Sequence, residues 1–403
     1  MRSRSEPAGT VALPGAPVAA RLGRLGRACP PDLRLALLLG LGLRAAFSLF
    51  AFALATIVPV RPACALSVPA PQMHPAGLGF RLLGVWERYD ACFYQRIAAG
   101  GYRPGDEGVA FFPLYPALTR AAATVLGGDL TLAGLVVSGV ATVAALVGLQ
   151  RLVARDFGPA VARRATLALA LFPTAIFLFV PYAEALYLAL AVWALYLARR
   201  GEWGRAAPLA LLTGLARTQG VLLAVPLAWE VYRQWRQAGD RRAWHAALVP
   251  LLPAAAFGAF FVFGRLASGL TLFQAEQAWG GGSAAPWTLL LHSGQYIVAH
   301  ADVVEASNLL ALGLAVALLA AGARRLPLTY TLYAVPQIAV ILLREGGRSP
   351  LMSASRFVLV LFPCFVVLAL LLGEGRRHRA WLIGSAALLT LALTLYVGGS
   401  FVG

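Results

Sequence analysis

The chain has 403 residues, of which 60% are hydrophobic and 13% are charged. An average soluble domain is nearer half apolar and a quarter charged, so this composition excludes a soluble enzyme, a disordered protein and a nucleic-acid-binding module. The 34 basic residues outnumber the 17 acidic ones, and every one of them is arginine. Because the chain contains no lysine, Schiff-base chemistry and lysine nucleophiles are excluded as well. The composition predicts an all-α polytopic membrane protein.

The N-terminal part of the chain divides into a polar segment and a long apolar one. Residues 1–31 are rich in Arg, Pro, Ala and Gly without periodicity, which predicts a disordered cytoplasmic tail. An apolar stretch then runs from Leu33 to Val60, and the Ala63-Cys64-Ala65 that follows is similar to a signal-peptidase site. A signal peptide has a shorter apolar core nearer the start of the chain, so a retained first span is favoured over a cleaved signal. Residues 32–403 are predicted to form a single integral membrane domain.

Nine further apolar runs are long enough to cross or nearly cross a bilayer. They lie at about 130–150, 165–180, 183–198, 206–231, 246–266, 304–323, 327–343, 356–373 and 380–398. A span needs about 20 residues, and several of these runs are at the short end of that range. The sequence therefore predicts about 9–11 transmembrane or half-membrane helices.

Clusters of arginine between the runs indicate the direction of each span by the positive-inside rule. These clusters contain Arg151, Arg155, Arg163, Arg164, Arg199, Arg200, Arg205, Arg233, Arg236, Arg241, Arg242, Arg324, Arg325, Arg376, Arg377 and Arg379. Both flanks of the run 206–231 are basic, so this run should enter and leave on the same side, with a break at Arg217 between two half-helices. The stretches predicted outside the cytoplasm are 60–129 (the first extracytoplasmic loop), 267–303 and 344–355.

Cysteine and histidine spacing gives no sign of a metal site. The four cysteines show no CxxC or other ligand spacing, so the sequence indicates neither a disulfide framework nor a zinc site. His292, His300 and Asp302 are spaced by eight and two residues, which matches no compact metal motif. The chain also lacks a P-loop, a Rossmann glycine pattern, a nucleophile elbow and HExxH. We therefore expect no resident cofactor and assign no metal ligands, while the sequence alone leaves a metal requirement open.

The segment 86–116 of the first extracytoplasmic loop is dense in Trp, Tyr and Phe, which suits interfacial helices at headgroup level. If residues 86–98 are helical, Glu87 and Asp90 are three residues apart and share one face. A carboxylate held there can act as a general base toward a hydroxyl group. Asp90 can equally pair with Arg88 or Arg96 on a solvated face, and the residues alone favour neither interpretation.

Three further charged residues lie next to or within apolar runs. Glu184 is a functional candidate at the outer end of its run, or a carboxylate that reaches water from a helix end. Arg217 lies inside an apolar run and needs an anionic partner, which is either Glu184 or a phosphate. Arg356 begins a run, where its guanidinium group can bind phosphate bidentately or anchor a helix at the interface.

Several short blocks follow each other in a fixed order between about residue 86 and residue 400. They read Tyr89-Asp90, Ile97-Ala98-Ala99-Gly100-Gly101-Tyr102, Phe111-Phe112-Pro113-Leu114-Tyr115-Pro116, Phe172-Pro173-Thr174-Ala175-Ile176-Phe177, Tyr182-Ala183-Glu184-Ala185-Leu186, Ala216-Arg217-Thr218-Gln219-Gly220, Ser355-Arg356-Phe357 and Phe362-Pro363. Together they resemble the PIG-V-like mannosyltransferases, which are integral membrane glycosyltransferases of the GT-C fold, and the chain looks like a bacterial member. Two positions depart from the family pattern, which usually has Trp before the aspartate and often Thr before the arginine; here they are Tyr89 and Ala216.

The resemblance implies a polyprenyl-phosphate sugar as donor, with mannose as the sugar, and a lipid or glycan hydroxyl as acceptor. Transfer would proceed with inversion at the extracytoplasmic face of a bacterial plasma membrane, among membrane lipids and without nucleic acid. Asp90 would be the general base, while Arg217 and Arg356 would hold the donor phosphate. Glu184 would position the acceptor or orient an arginine, and Glu87 is a further candidate for that role. The implied contacts to sugar or lipid are Trp86, Tyr89, Tyr94, Tyr102, Phe112, Tyr115, Tyr182 and Gln219.

Two other functions are compatible with these residues. A transporter or flippase of a lipid-linked saccharide would also carry outer arginines and short helices, although transporters tend to place polar groups near the midplane and often contain repeats. A non-catalytic subunit of a glycosylation complex is the second alternative. The candidate residues cluster at one face, which favours the enzyme.

Overall fold

The structure is a computed structural model that describes residues 30–60, 62, 64, 73–238, 246–278 and 280–402. The predicted tail 1–31 lies almost wholly outside the described residues, as do Ala63, Ala65 and the pair Arg241 and Arg242. The described chain is built almost entirely of α-helices, as predicted. Five of these helices are long and apolar enough to cross a membrane, as expected of a membrane protein.

The described residues form seventeen α-helices and one two-stranded sheet. The helices are α1 (Pro31–Ile57), α2 (Gly77–Leu82), α3 (Asp90–Gly100), α4 (Leu114–Ala123), α5 (Leu130–Phe157), α6 (Pro159–Ala170), α7 (Glu184–Arg199), α8 (Trp203–Ala216), α9 (Ala224–Ala238), α10 (Leu251–Ser268), α11 (Leu272–Ala278), α12 (Pro286–His300), α13 (Val303–Gly322), α14 (Leu328–Leu343), α15 (Ala354–Leu359), α16 (Phe362–Leu372) and α17 (Arg376–Gly398). Strands β1 (Gly282–Ser283) and β2 (Arg344–Glu345) pair antiparallel, with Gly282 opposite Glu345.

The first apolar stretch forms one uninterrupted helix that belongs to the folded domain. Helix α1 packs along α5 and also contacts α17. Its small residues Ala36 and Ala51 are fully buried in these contacts. Its Leu38, Leu41 and Leu49 are more than 60% exposed, as expected for side chains that face lipid. The helix is therefore part of the packed bundle, and retention of this first span stays a prediction.

Helix α5 is the most buried of the five candidate spans and packs tightly against α7. Small residues make this close approach possible, as is common between membrane helices. A Cβ atom on Gly148 would lie 2.8 Å from a methyl carbon of Val192 and 2.9 Å from the indole ring of Trp193. Helix α7 begins at Glu184, so this packing fixes the position of one predicted site residue.

The run 206–231 is broken at the predicted position. Helix α8 ends at Ala216, Arg217 is extended, and a 3-10 helix (Thr218–Leu223) leads into α9. The two flanks of this run lie next to each other, since the Trp203 indole at the start of α8 donates to the Gln234 side chain of α9 at 2.9 Å. The segment therefore forms a re-entrant hairpin, with Arg217 at its tip.

The arginine clusters form ion pairs at one end of the helix bundle, which we call the inner end. Arg151 pairs with Asp32 at 2.6 Å, and Arg164 pairs with Glu374 at 2.7 Å. Arg199 pairs with Asp156. These ion pairs join helix ends that the arginine pattern predicts to lie on one side of the membrane. The tip of the hairpin, at Arg217, lies at the opposite end of the bundle.

Candidate active site

A cavity of about 480 Å³ opens at the end of the bundle opposite the arginine clusters. Six of the predicted site residues line it: Asp90, Tyr94, Phe112, Arg217, Gln219 and Arg356. Helix α7 reaches this level after only 16 residues, or about 24 Å of rise. Because the apolar core of a bilayer is about 30 Å thick, we expect Glu184 to lie below the outer membrane surface.

Four charged residues from distant parts of the chain form one continuous network at the cavity. The Arg356 guanidinium group contacts Asp90 Oδ2 at 2.5 Å through Nη1 and lies 3.3 Å from Glu184 Oε1 through Nε. Arg217 Nη1 pairs with the same Glu184 oxygen. Asp90 and Glu184 each begin a helix, where the N-terminal dipole favours a negative charge. The order Asp90, Arg356, Glu184, Arg217 alternates in sign, so the network is neutral as it stands.

The burial of this network decides between the interpretations that the sequence left open. Glu184 is 1% exposed, so its carboxylate does not reach water, and Arg356 is 7% exposed, so it does not anchor a helix at the interface. Arg217 has its Glu184 partner and also donates through Nε to Gln219 Oε1 at 3.2 Å. Neither Glu184 oxygen has a hydrogen-bond partner within the described chain, despite the ion pairs.

Asp90 is the most accessible of the four, with a side chain that is 24% exposed. It pairs with neither Arg88 nor Arg96: the Arg88 Nε donates to the Val85 carbonyl at 3.1 Å, and Arg96 pairs with Asp106 at 2.5 Å. The solvated-face interpretation of Asp90 is therefore wrong. The carboxylate of Asp90 instead faces the cavity.

Glu87 does not share a face with Asp90, so that prediction is wrong. The helix begins at Asp90 rather than at residue 86, because Tyr89 has a φ of 52° and turns the chain just before it. Glu87 is fully buried elsewhere, where its Oε1 lies 2.6 Å from His74 Nδ1 and accepts a 2.6 Å hydrogen bond from Thr131. Glu87 therefore holds the first loop against α5 and does not line the cavity.

Aromatic rings surround the Arg356 guanidinium group. Its central carbon lies 5.5 Å from each of the ring centroids of Phe177, Tyr182 and Phe357. Rings at this distance attract a cation through their π faces. Tyr182 also receives the Asp90 backbone N–H at 3.3 Å and donates to the Arg88 carbonyl at 3.3 Å. It therefore positions both members of the Asp90–Arg356 pair from behind the cavity.

A third arginine, Arg344, lines the cavity and is not among the predicted site residues. The guanidinium carbon of Arg344 lies 5.6 Å from the Phe357 ring centroid, and those of Arg217 and Arg356 each lie 5.5 Å from it. Its nearest carboxylate is Glu276 at 3.9 Å, at the limit of an ion pair. Arg344 follows the outer end of the apolar run 327–343, which is the same type of position that singled out Arg356.

Four of the predicted aromatic contacts support the loop and do not line the cavity. Trp86 lies under the Arg44 guanidinium group at 4.3 Å, and Tyr115 donates to the Gly134 carbonyl at 2.8 Å. Tyr102 donates to the Phe111 carbonyl at 2.6 Å, and Tyr89 donates to the Gly399 carbonyl at 2.5 Å. The Trp86 indole also donates to the Leu82 carbonyl at 3.1 Å. The polar groups of all four side chains are therefore used in structural hydrogen bonds away from the cavity lining.

Burial keeps two tyrosines of the first loop in their neutral form. It raises the pKa of the Tyr89 hydroxyl, so this group stays a donor to Gly399. It raises the pKa of Tyr94, whose ring lines the cavity, still further. A neutral phenol adds no charge to the network.

Two residues with strained backbone flank the site. Tyr89 immediately precedes Asp90, and Ser353 has a φ of 71° just before α15, which carries Arg356. Non-glycine residues with positive φ cost about 1–3 kcal/mol and concentrate at functional sites. The two strained residues therefore lie directly before the helices that carry Asp90 and Arg356.

A disulfide joins Cys64 and Cys92, so the expectation that no disulfide is present is wrong. The two residues are 28 positions apart, a spacing that no compact motif describes. Cys92 lies on α3 two residues after Asp90. The bond therefore ties α3, the helix that begins at Asp90, to the segment that follows α1. Cys364 is a free, buried thiol.

The histidines of the outer stretch 267–303 serve local structure. His292 Nδ1 lies 3.0 Å from Glu345, and the His300 ring stacks on Tyr296. Asp302 caps α13 by accepting from the backbone N–H groups of Val304 and Glu305. Within the described ranges no group of three or more His, Cys, Asp or Glu side chains is arranged to hold a metal ion.

No known protein-family model matches the chain, and a comparison with curated proteins finds no match.

Proposed function

We propose that this protein is a membrane glycosyltransferase that moves a sugar from a polyprenyl-phosphate donor to an acceptor hydroxyl. The observation that carries the proposal is the Asp90–Arg356 pair at 2.5 Å. It places a carboxylate that can accept a proton beside a guanidinium group that can hold a phosphate, on the wall of one cavity. We propose mannose as the sugar, as the family resemblance implies.

In the proposed reaction Asp90 takes the proton of the acceptor hydroxyl. The acceptor oxygen then forms a bond to the anomeric carbon of the sugar, on the face opposite the phosphate. The bond between the anomeric carbon and the phosphate oxygen breaks, and its electron pair leaves with the polyprenyl phosphate. A single displacement of this kind inverts the anomeric configuration.

The arginines would stabilise the charge that develops on the leaving phosphate. Three guanidinium groups lie within 5.6 Å of the Phe357 ring centroid, so they surround one small region. Arg217 and Arg356 are neutralised by Glu184 and Asp90. Among the described carboxylates, Glu276 at 3.9 Å is the one ion-pair partner of Arg344. This weakly paired charge would attract a phosphate, and guanidinium groups bind phosphate oxygens in a fixed, paired geometry.

Part of the cavity lining is apolar and suits a lipid chain. Phe273 of α11 is 73% exposed, and Val340 and Leu343 of α14 are 36% and 51% exposed. All three line the cavity and are apolar. A polyprenyl chain could leave the cavity between α11 and α14 and continue into the bilayer, with its phosphate at the arginines.

Two observations support an extracytoplasmic site in a bacterial plasma membrane. Disulfides form mainly in oxidising compartments, and the Cys64–Cys92 bond lies in the first loop beside Asp90. The arginine clusters lie at the other end of the bundle, which the positive-inside rule assigns to the cytoplasm.

The test is sugar transfer by the purified protein in lipid nanodiscs, with a panel of polyprenyl-phosphate sugars and isolated lipid acceptors. The wild type should transfer one sugar with inversion, and Asp90→Asn should lower turnover by about 10²-fold or more, the usual scale for a general base. The matched control is Asp302→Asn, which keeps its helix cap because Asn caps as well as Asp. If the wild type binds the donor and transfers no sugar, the protein is a carrier or a subunit and the proposal is wrong.

A further inference from the structure

A second cavity, of about 1280 Å³, lies at the inner end of the bundle. It lies between the start of α1, the end of α5, the start of α6 and the end of α7. Five arginines line it, and only one acidic residue, Asp32, does so. These arginines are Arg34, Arg151, Arg155, Arg163 and Arg200. We call this cavity the inner pocket.

The charges of the inner pocket are not balanced within the described part of the chain. Arg151 pairs with Asp32 at 2.6 Å, and Arg200 contacts Glu202 at 2.5 Å. Arg34, Arg155 and Arg163 are exposed and form no ion pair with a described carboxylate. The segment 1–29 contains five arginines and one glutamate, so its composition adds positive charge. Three guanidinium groups therefore face one concavity without an acidic partner among the described residues.

The pocket is apolar beneath these arginines. Leu35, Leu38 and Ala162 line it, and Leu38 is 63% exposed. Leu38 also begins an exposed apolar stripe that continues down α1 through Leu41 and Leu49, which are 63% and 72% exposed. The spacing of three and then eight residues keeps these side chains on one face of the helix. An apolar track thus leads from the arginines toward the membrane interior.

We propose that the inner pocket binds an anionic phospholipid. Arg34, Arg155 and Arg163 hold the headgroup phosphate, and an acyl chain lies along the leucine stripe of α1. Basic pockets between membrane helices are suited to anionic headgroups. The positive-inside rule requires charges near the ends of spans, but it does not require arginines from three helices to face one apolar concavity. The proposal is independent of sugar transfer at the opposite end of the molecule.

The experiment measures the binding of single lipids to the detergent-purified full chain by native mass spectrometry, with phosphatidylglycerol and phosphatidylcholine as probes. Phosphatidylglycerol should bind at least about tenfold more tightly than phosphatidylcholine, because phosphatidylcholine is net neutral and its choline cation is repelled by the arginines of the pocket. Arg34→Gln, Arg155→Gln and Arg163→Gln should each weaken phosphatidylglycerol binding by about tenfold and leave phosphatidylcholine binding unchanged. Because all three side chains are exposed, we expect the variants to fold, and the unfolding temperature in phosphatidylcholine checks this.

The matched control is Arg324→Gln with Arg325→Gln, two exposed arginines at the same end that do not line the pocket. If these substitutions weaken phosphatidylglycerol binding as much as the pocket variants do, the effect is general surface charge and the proposal is wrong. If free glycerol phosphate displaces phosphatidylglycerol at equal concentration, the pocket is a soluble-anion site and the acyl-chain part of the proposal is wrong. Binding within twofold of wild type in all three pocket variants would also overturn it.

Discussion

Arg356 joins the two carboxylates of the charged network. Its guanidinium group uses one nitrogen toward Asp90 and another toward Glu184, and it lies among three aromatic rings. A planar, delocalised cation can satisfy these directions at once, whereas an ammonium group is a compact point charge. A lysine at position 356 therefore tests whether the planar guanidinium group is required or whether a positive charge is sufficient.

We expect Arg356→Lys to keep the protein folded and to impair transfer clearly. The substitution keeps the buried positive charge opposite Asp90 and Glu184, so neither carboxylate is left without a cation. In the proposed reaction it would remove at least one charged hydrogen bond to the donor phosphate, which is worth about 1.5–3 kcal/mol. The donor KM should rise, or kcat fall, by about tenfold or more, measured by steady-state kinetics with the polyprenyl-phosphate donor.

Arg348→Lys is the matched control, because Arg348 is an exposed arginine of the same outer segment that does not line the cavity. Its kinetics should equal those of the wild type. Donor kinetics within about twofold of wild type for Arg356→Lys would be too small an effect for a lost charged hydrogen bond. That result would remove Arg356 from the phosphate site.

The disulfide is the second feature that is tested at single residues. Cross-linking two residues 28 positions apart restricts the unfolded chain and is worth about 2–4 kcal/mol. Replacing Cys64 and Cys92 together by Ser should lower the unfolding temperature, measured by differential scanning fluorimetry, and dithiothreitol should lower that of the wild type equally. Cys29→Ser is the control and should change neither value. An unfolding temperature of the double variant equal to that of the wild type would show that the bond does not form.

At the level of elements, the re-entrant hairpin needs a glycine at position 220. A Cβ atom on Gly220 would lie 1.8 Å from the Thr213 carbonyl oxygen, a distance that no real contact permits. The same hairpin tip carries Arg217, whose guanidinium group must reach Glu184. A side chain at position 220 would therefore push the tip away from the carboxylate and leave a buried charge unpaired.

We expect Gly220→Ala to lower the unfolding temperature and to reduce sugar transfer, although Gly220 itself lies outside the charged network. The expected loss of stability is about 3–5 kcal/mol, the range for breaking a buried pair. Gly139→Ala is the control, because a Cβ atom there meets nothing within 4 Å and Ala favours the helix. If Gly220→Ala unfolds at the wild-type temperature with normal turnover, the tight turn is not needed to position Arg217.

The elements differ in how well the sequence predicts them, and the reason is the range of the interactions. The apolar runs predict the main helices and the break at Arg217, because hydropathy and the turn signal are local. The start of α3 is missed because Tyr89 adopts a positive φ, which an aromatic residue rarely does. The Asp90–Arg356 pair joins positions 266 residues apart, so only the fold can bring the two side chains together.

The spacing of the cysteines does not indicate the disulfide either, but their position in the predicted topology does. Cys64 and Cys92 are the two cysteines within the predicted first extracytoplasmic loop 60–129, while Cys29 and Cys364 lie outside it. Two cysteines on one oxidising side are candidates for a bond whatever their spacing. Arg344 was likewise predictable by the criterion that found Arg356, since both border an apolar run at its outer end.

At the level of the whole molecule, the two ends of the bundle differ in charge and in chemistry. The inner end carries the arginine clusters and the inner pocket, where positive charge is in excess. The outer end carries the neutral Asp90–Arg356–Glu184–Arg217 network, the disulfide and the apolar wall. A lipid-linked donor and an anionic phospholipid of the opposite leaflet would therefore bind at different levels of the same bundle, as the two proposals require.

This polarity predicts which surface a membrane-impermeant thiol reagent reaches in intact cells. Pro104→Cys places an exposed thiol on the first loop, and Ala323→Cys places one beside the inner arginines Arg324 and Arg325. In a Cys29→Ser background the remaining native cysteines are buried or bonded, so they stay unlabelled. We expect Pro104→Cys to be labelled in intact cells and Ala323→Cys only after the cells are permeabilised, because the positive-inside rule keeps the arginine end in the cytoplasm. The reverse pattern would place the Asp90 cavity in the cytoplasm, where a disulfide beside it would not persist, and the proposal of an extracytoplasmic site would be wrong.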